Sequence, residues 1–244
     1  MTSDEPTYPT YLKLDELLAL QCPRSSPVHP DELLFITVHQ SSELWFKLIL
    51  HELGKLRDSM AEGRVLEAVE QVGRVNSLMR IVTAQLHALD TLSPRGFSQF
   101  RQNLGTSTGG QSAQFRAIEL MSGLREESYL AYIRSQAPLD PIVERALAQP
   151  ALPELFNQLL ASRTVSPREL YTSDKQRELR LLAEGLLSYE QEFAMWRFLH
   201  VEVIERVIRP GTPGTGGSLG AKALRDTLGN RFFPELWAVR AEFY

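Results

Sequence analysis

Residues 174–209, DKQRELRLLAEGLLSYEQEFAMWRFLHVEVIERVIR, decide the fold class. Apolar residues recur three or four positions apart along the whole stretch and no proline interrupts it, the pattern of one long helix with a buried stripe. The same pattern extends upstream. A first long helix is expected from Pro30 to about Met60, with Pro30 at a first helical position and Gly63 beyond its end. A second is expected from about Arg64 to Thr91, where Leu66, Val69, Val72, Val75, Met79, Val82, Leu86 and Leu89 keep helical spacing. It stops ahead of Pro94. Ser93-Pro94 then reads as the cap of a short helix through Asn103. Helical patterns return over about 111–135, over 141–162 with interruptions at Pro150 and Pro153, and near 219–228 and 233–243. No stretch alternates apolar and polar residues long enough for a strand. The expectation is an all-α, single-domain bundle of long antiparallel helices spanning residues 1–244.

Two segments do not belong to any helix. Gly105-Thr106-Ser107-Thr108-Gly109-Gly110 is a turn-forming loop, and Pro210 to Gly220, PGTPGTGGSLG, is too rich in glycine and proline for regular structure. A bundle does not need such loops for closure, so they are candidates for function.

Composition narrows the role. The formal net charge is -4, without the basic face that nucleic acid requires. A single cysteine, Cys22, leaves no intramolecular disulfide and suits a reducing compartment. The opening MTSDEPTYPT does not read as a secretory signal, and no apolar run is long enough to span a membrane. A cytoplasmic protein binding neither nucleic acid nor membrane is expected.

Two histidines carry the candidate chemistry. At about 100° per residue, Phe193, Trp196, Val203, Ile204 and Val207 lie on the side of His200, while Glu202, Glu205, Arg206 and Arg209 lie elsewhere. An imidazole in an apolar stripe needs a partner. Haem iron is one candidate, with the apolar neighbours against the porphyrin. A core histidine bonded to a backbone carbonyl fits the spacing alone at least as well. His39 shares its face with Phe35, Phe46, Leu50 and Leu53, and Glu43 one turn on could orient its ring; an ordinary helix-surface pair is the plainer reading. Di-iron, zinc and phosphate-loop motifs are absent, since no histidine has a glutamate three residues before it and the Gly214–Gly217 run follows a helix. Arg101 and Arg116 flank the 105–112 loop, where an arginine fork could grip a carboxylate.

Taken together, these pieces resemble a known family. Tyr8-Pro-Thr-Tyr11-Leu12 and Asp31-Glu-Leu-Leu-Phe35-Ile-Thr-Val-His39-Gln-Ser-Ser-Glu43-Leu-Trp45-Phe46-Lys47 are similar to the N-terminal signature of tryptophan 2,3-dioxygenases. So are Phe97-Ser-Gln-Phe100-Arg101 and Gln111-Ser112-Ala-Gln114-Phe115-Arg116-Ala-Ile-Glu119, and, near the C-terminus, Trp196-Arg197-Phe-Leu-His200 with Gly214-Thr215-Gly216-Gly217-Ser218-Leu-Gly220.

The resemblance implies haem b, with His200 as axial ligand to the iron and Trp196 beside it in the cofactor site. It implies His39 as the catalytic group on the distal side, hydrogen-bonded to the indole N–H. Phe35 and Phe97 would sandwich the indole ring. Arg101 would bind the carboxylate of the amino acid, with Thr108 and Thr215 as further substrate contacts. Tyr8 and Tyr11, on an N-terminal arm of residues 1–29, would cap the pocket of a neighbouring subunit in a homotetramer. The implied reaction cleaves the indole C2–C3 bond of L-tryptophan with O2 to give N-formyl-L-kynurenine. Two departures keep an alternative open. Gly110 stands where the family usually has a bulky residue, and the chain is shorter than usual between about 135 and 180. The alternative is a haem-dependent mono-oxygenase of L-tryptophan or a substituted tryptophan in specialised metabolism.

Overall fold

The computed structural model of the chain describes residues 5–208 and 224–243. Among these the fold is all-α, without a strand. Its frame is three long helices, preceded by two short ones, α1 (Tyr8–Leu12) and α2 (Leu14–Leu18). Helix α3 (Glu32–Ala61) ends where Gly63 takes a left-handed φ of 73°, a conformation that costs glycine little. Only Glu62, Gly63 and Arg64 separate it from α4 (Val65–Ala84), so the two return against each other. The stripe of α4 is Val65, Ala68, Val72, Val75, Met79 and Val82, whereas Leu66, expected in the stripe, faces solvent. The α-helix stops at Ala84, short of the expected Thr91, and continues as a tighter 3-10 turn over Gln85–Thr91.

Ser93 Oγ accepts from Gly96 N at 2.9 Å and opens α5 (Pro94–Phe100), as its Ser-Pro start predicts. Residues Arg101–Leu104 then tighten into another 3-10 turn. A Cβ at Gly96 would lie 2.7 Å from Asp31 Oδ2, so a larger residue there would displace the Asp31 side chain where α5 docks on the start of α3. The single pattern expected over 111–135 is two helices. Ser112 caps α6 (Ala113–Ser122), Gly123 ends it at φ 114°, and α7 (Glu127–Ser135) follows. Then come α8 (Pro141–Ala148), α9 (Leu152–Ser162) and the short α10 (Glu169–Thr172).

The stretch that opened the sequence reading is α11 (Arg177–Val207). Helix α4 packs against both α3 and α11. A Cβ at Gly185 would lie 2.5 Å from Val72 Cγ1, so glycine in mid-helix sets how closely α4 and α11 approach. Its carbonyl accepts from Asn76 Nδ2 at 3.1 Å. Of the helix expected near 219–228, residues 219–223 lie outside the described residues, and Thr227–Gly229 forms a 3-10 turn. Helix α12 (Pro234–Ala241) is held to α11 by buried Glu190, whose carboxylate accepts from Phe232 N, Phe233 N, Arg231 Nη1 and Trp237 Nε1 at 2.7–3.0 Å. No helix among the described residues is long and apolar enough to cross a membrane.

Not all of the expected N-terminal arm stands away from its own chain. Gln21 Nε2 donates to Gln40 Oε1 at 2.6 Å, and Gln40 Nε2 to the Leu20 carbonyl at 3.0 Å. Buried Glu32 accepts from Arg24 N at 2.7 Å, Ser25 N at 3.0 Å and the Ser25 hydroxyl. The anchored stretch therefore begins at about Leu20. Ahead of it, Tyr8 and Tyr11 are 74% and 75% exposed.

Candidate functional site

An aromatic cluster forms where α5 meets the start of α3. Phe97 and Phe100 are buried with Leu92, and Phe35, Leu104, Val207 and Ile208 pack around them. Ring centroids lie 5.6 Å apart for Phe35–Phe97 and 5.7 Å for Phe35–Phe100. Phe35 and Phe97 thus touch directly. Holding an indole between them would require opening to about 7 Å, twice the optimal carbon–carbon separation. Phe97 is buried and Phe35 half-buried, so Phe35 is the wall of the cluster a ligand meets first.

His39 stands one turn beyond, its ring centroid 4.1 Å from that of Phe35. Its Nδ1 lies 2.7 Å from the Phe35 carbonyl. A carbonyl oxygen only accepts, so Nδ1 carries the hydrogen and, in the neutral ring, Nε2 carries the lone pair. The expected orientation by Glu43 is therefore replaced. The Glu43 carboxylate and carbonyl accept from Gln114 Nε2 at 2.8 and 2.9 Å, and the ring is held by its own helix. Burial lowers the His39 pKa, opposed by the Phe35 carbonyl and by the charge of Glu43. The residue nonetheless keeps solvent-accessible surface.

His200 behaves differently. It stacks on Trp196, centroids 4.8 Å apart and planes 25° from parallel, and its nitrogens bond to no protein atom among the described residues. The core histidine bonded to a backbone carbonyl is not what forms. Burial, with a smaller contribution from the charge of His39, pushes its pKa down to about 4. The two histidines thus lie close enough to interact, and both rings are held towards the neutral form. Trp196 Nε1 is buried without a hydrogen-bond partner among the described residues. An unmet buried donor costs about 1–3 kcal/mol, which an acceptor on a bound group would offset.

Arg101 follows Phe100 directly and is half-buried at the start of its 3-10 turn. Thr108, half-buried, organises the next loop: its Oγ1 accepts from Gly110 N at 3.4 Å and its N–H donates to Gln111 Oε1 at 3.2 Å. A Cβ at Gly110 would meet only Arg116 Nη2 at 3.7 Å and Thr108 Oγ1 at 3.8 Å, so the position has space for a side chain. Tyr8 and Tyr11 sit on α1, apart from these groups. Thr215 and the glycine-rich segment lie outside the described residues.

Sequence reasoning missed the polar residues on α6 that connect these parts. Glu119, 2% exposed, accepts from Arg197 Nη2 at 3.0 Å, from Arg116 Nη1 at 2.9 Å and from the Tyr129 hydroxyl at 2.6 Å. Arg197 is itself 5% exposed. Burial and the Glu119 charge raise the Tyr129 pKa. Arg116 Nη2 reaches the Gly110 carbonyl at 3.4 Å. Phe115 lies between Phe46 of α3 and Trp196 of α11, at 5.5 and 4.7 Å. The signal was legible in principle, because Glu119 sits four residues after Phe115 and next to Ile118, where a helix stripe calls for an apolar residue.

Two comparisons bear on this geometry. The family model described as tryptophan 2,3-dioxygenase matches residues 2–142. Over nearly its full length the chain is similar to curated proteins of that name. It is 39% identical to the one from Anaeromyxobacter dehalogenans (strain 2CP-C), covering 96% of this chain and 95% of that protein. It is 38% identical to the one from Nocardioides sp. (strain ATCC BAA-499 / JS614), covering 97% and 94%, and 37% identical to the one from Caulobacter vibrioides (strain ATCC 19089 / CIP 103742 / CB 15), covering 97% and 98%.

Proposed function

The chain belongs to the tryptophan 2,3-dioxygenase family, and from that membership we propose that it cleaves the indole C2–C3 bond of L-tryptophan with O2 to give N-formyl-L-kynurenine, using haem b. The observation that carries the proposal is the contrast between the two neighbouring histidines. His39 has its Nδ1 committed to a carbonyl, and His200 has no hydrogen-bond partner among the described residues.

The residues present fit a haem. A neutral imidazole without a protein bond among the described residues could give a nitrogen lone pair to iron, and the apolar face of the stacked Trp196 would lie against the porphyrin. His200 would hold the iron and Trp196 would lie beside it. When bound, haem supplies the iron at which O2 is activated. The remaining work falls to this chain. His39 Nε2 would accept the indole N–H and so set which edge of the ring faces the cofactor. Phe35 would press on the ring face, with Phe97 behind it or parted from it. Arg101 would grip the carboxylate in a two-pronged bond, and Thr108 and Thr215 would complete the amino-acid end. Fixing both ends of one small molecule distinguishes an amino acid from a bare indole.

The exposed Tyr8 and Tyr11 support an arm that covers a neighbour's pocket, hence a homo-oligomer, which we take to be a tetramer in the cytoplasm. The test is direct. Ferrous, haem-loaded protein is mixed with L-tryptophan and O2, and the product is identified by mass. Uptake of both oxygen atoms without external reductant is expected. Uptake of a single atom, with reductant required, would replace this reading with mono-oxygenation. No turnover of any indole amino acid by protein with intact haem would refute both.

A further inference from the structure

Helix α6 touches both halves of the site. Near its start, Gln114 binds Glu43 of α3 one turn beyond His39, and Phe115 wedges between α3 and α11. At its end, Glu119 holds one guanidinium from α11 and another that reaches back to the 105–112 loop. We infer that Glu119 is a positioning residue: by holding Arg116 and Arg197 on one carboxylate, it keeps the Thr108 loop and the His200 helix in a fixed relation. The inference rests on the roles proposed above for His200 and the loop.

The physical case is one of specificity rather than stability. Neither Glu119 nor Arg197 could be buried alone, because desolvating an unpaired charge is costly. Three well-packed apolar side chains would stabilise this position as well as an ion cluster does. They would also tolerate sliding between the elements they join. The cluster does not, since each of its bonds has a required distance and direction. Arg197 is fixed on its other side too, its guanidinium 4.6 Å from the Phe193 ring centroid and 5.3 Å from that of Phe232. Arg197 is three residues before His200 on the same helix, and Gly110 two residues after Thr108 on the same loop. A shift at Glu119 therefore moves the cofactor side relative to the amino-acid side.

The test compares wild type with Glu119→Gln in two measurements. In the first, amide hydrogen exchange is followed on haem-free protein. Amides of residues 107–112 and 198–201 should accelerate together by about tenfold, the equivalent of one charge-assisted hydrogen bond, while those of α4 stay unchanged. In the second, kinetics are expressed per bound haem. KM for L-tryptophan should rise by about tenfold while kcat changes by less than about threefold. A merely structural role would lower the fraction of haem-loaded protein and leave KM per haem unaltered. Tyr129→Phe is the control, because it removes one donor to the same carboxylate and one acceptor from Arg116 while leaving both guanidinium groups bonded to Glu119. Uniform acceleration across the chain, unchanged loop exchange, or the same pattern in Tyr129→Phe would overturn the inference. Should Glu119→Gln fail to fold, Arg116→Lys keeps the charge but loses the reach to Gly110. Its loop amides alone should accelerate, and no change there would be equally fatal. Absence of a Soret band in the wild type would undo the haem reading and leave the exchange result intact.

Discussion

His39 on α3 and His200 on α11 are near enough to feel each other's charge, yet their helices treat them in opposite ways. The His39 ring is bonded to its own helix through the Phe35 carbonyl, which fixes both its tautomer and its tilt. The His200 ring is only stacked, on Trp196, with its nitrogens unclaimed by protein among the described residues. A residue meant to present one lone pair to a substrate is best pre-set by a short local bond. A residue that would coordinate iron must be neutral, with one ring nitrogen left free for the metal.

The comparison breaks most sharply at His200. His200→Ala should abolish the Soret band of haem-supplied protein and all turnover with it; a normal spectrum would mean that the axial ligand is elsewhere. Arg101→Met should leave the spectrum intact and lower kcat/KM for L-tryptophan by on the order of a hundredfold, as expected for truncating one partner of a desolvated, two-pronged ion pair. An indole lacking the carboxylate should be scarcely affected, which separates recognition of the amino-acid end from everything the histidines do. His39→Ala should retain haem and lose about tenfold in kcat/KM, the worth of one hydrogen bond to the indole N–H. An N-methylated indole, unable to donate that bond, should show no further loss in this variant.

The smallest effect concerns how the distal side is rooted. Burial would raise the Glu32 pKa, but the Ser25 hydroxyl and the N–H groups of Arg24 and Ser25 outweigh it and hold it below the usual value. A depressed carboxylate pKa contributes stability above the unfolded value, and that stability is lost as pH falls through the folded one. Acidification below about pH 4.5 should therefore release residues 24–32 before α11 responds. Amide exchange measured as a function of pH checks the order, and Ser25→Ala should move the release to higher pH.

The three long helices were legible because burial of a helix stripe leaves a 3.6-residue period in sequence. Val72, Val75, Met79 and Val82 announce α4 unaided. The Ser93-Pro94 start of α5 was legible for an equally local reason, a hydroxyl within reach of the N–H three residues on. Features decided by partners distant in sequence were not legible. Glu43 reads as a partner for His39 one turn away, yet Gln114 on another helix takes its carboxylate. Glu119 and Glu190 both interrupt apolar stripes, and nothing local says that the first collects two guanidinium groups and the second the backbone of the C-terminal segment. Periodicity tells which face is buried; it does not tell which charges meet there. The candidate site was accordingly proposed through family resemblance, and its supporting bonds were not legible at all.

The division of the N-terminal stretch has a consequence for assembly. Residues from Leu20 onward are fastened to α3, while ahead of them α1 leaves Tyr8 and Tyr11 exposed. At 1.5 Å per helical residue, a leash from Leu20 back to Tyr8 reaches no more than about 20 Å. In the proposed homo-oligomer, a tether that short would serve an adjoining copy whose pocket mouth lies beside its root. The geometry of association would then set which chain completes which pocket, and dilution of the protein would act on turnover without altering any residue of the site.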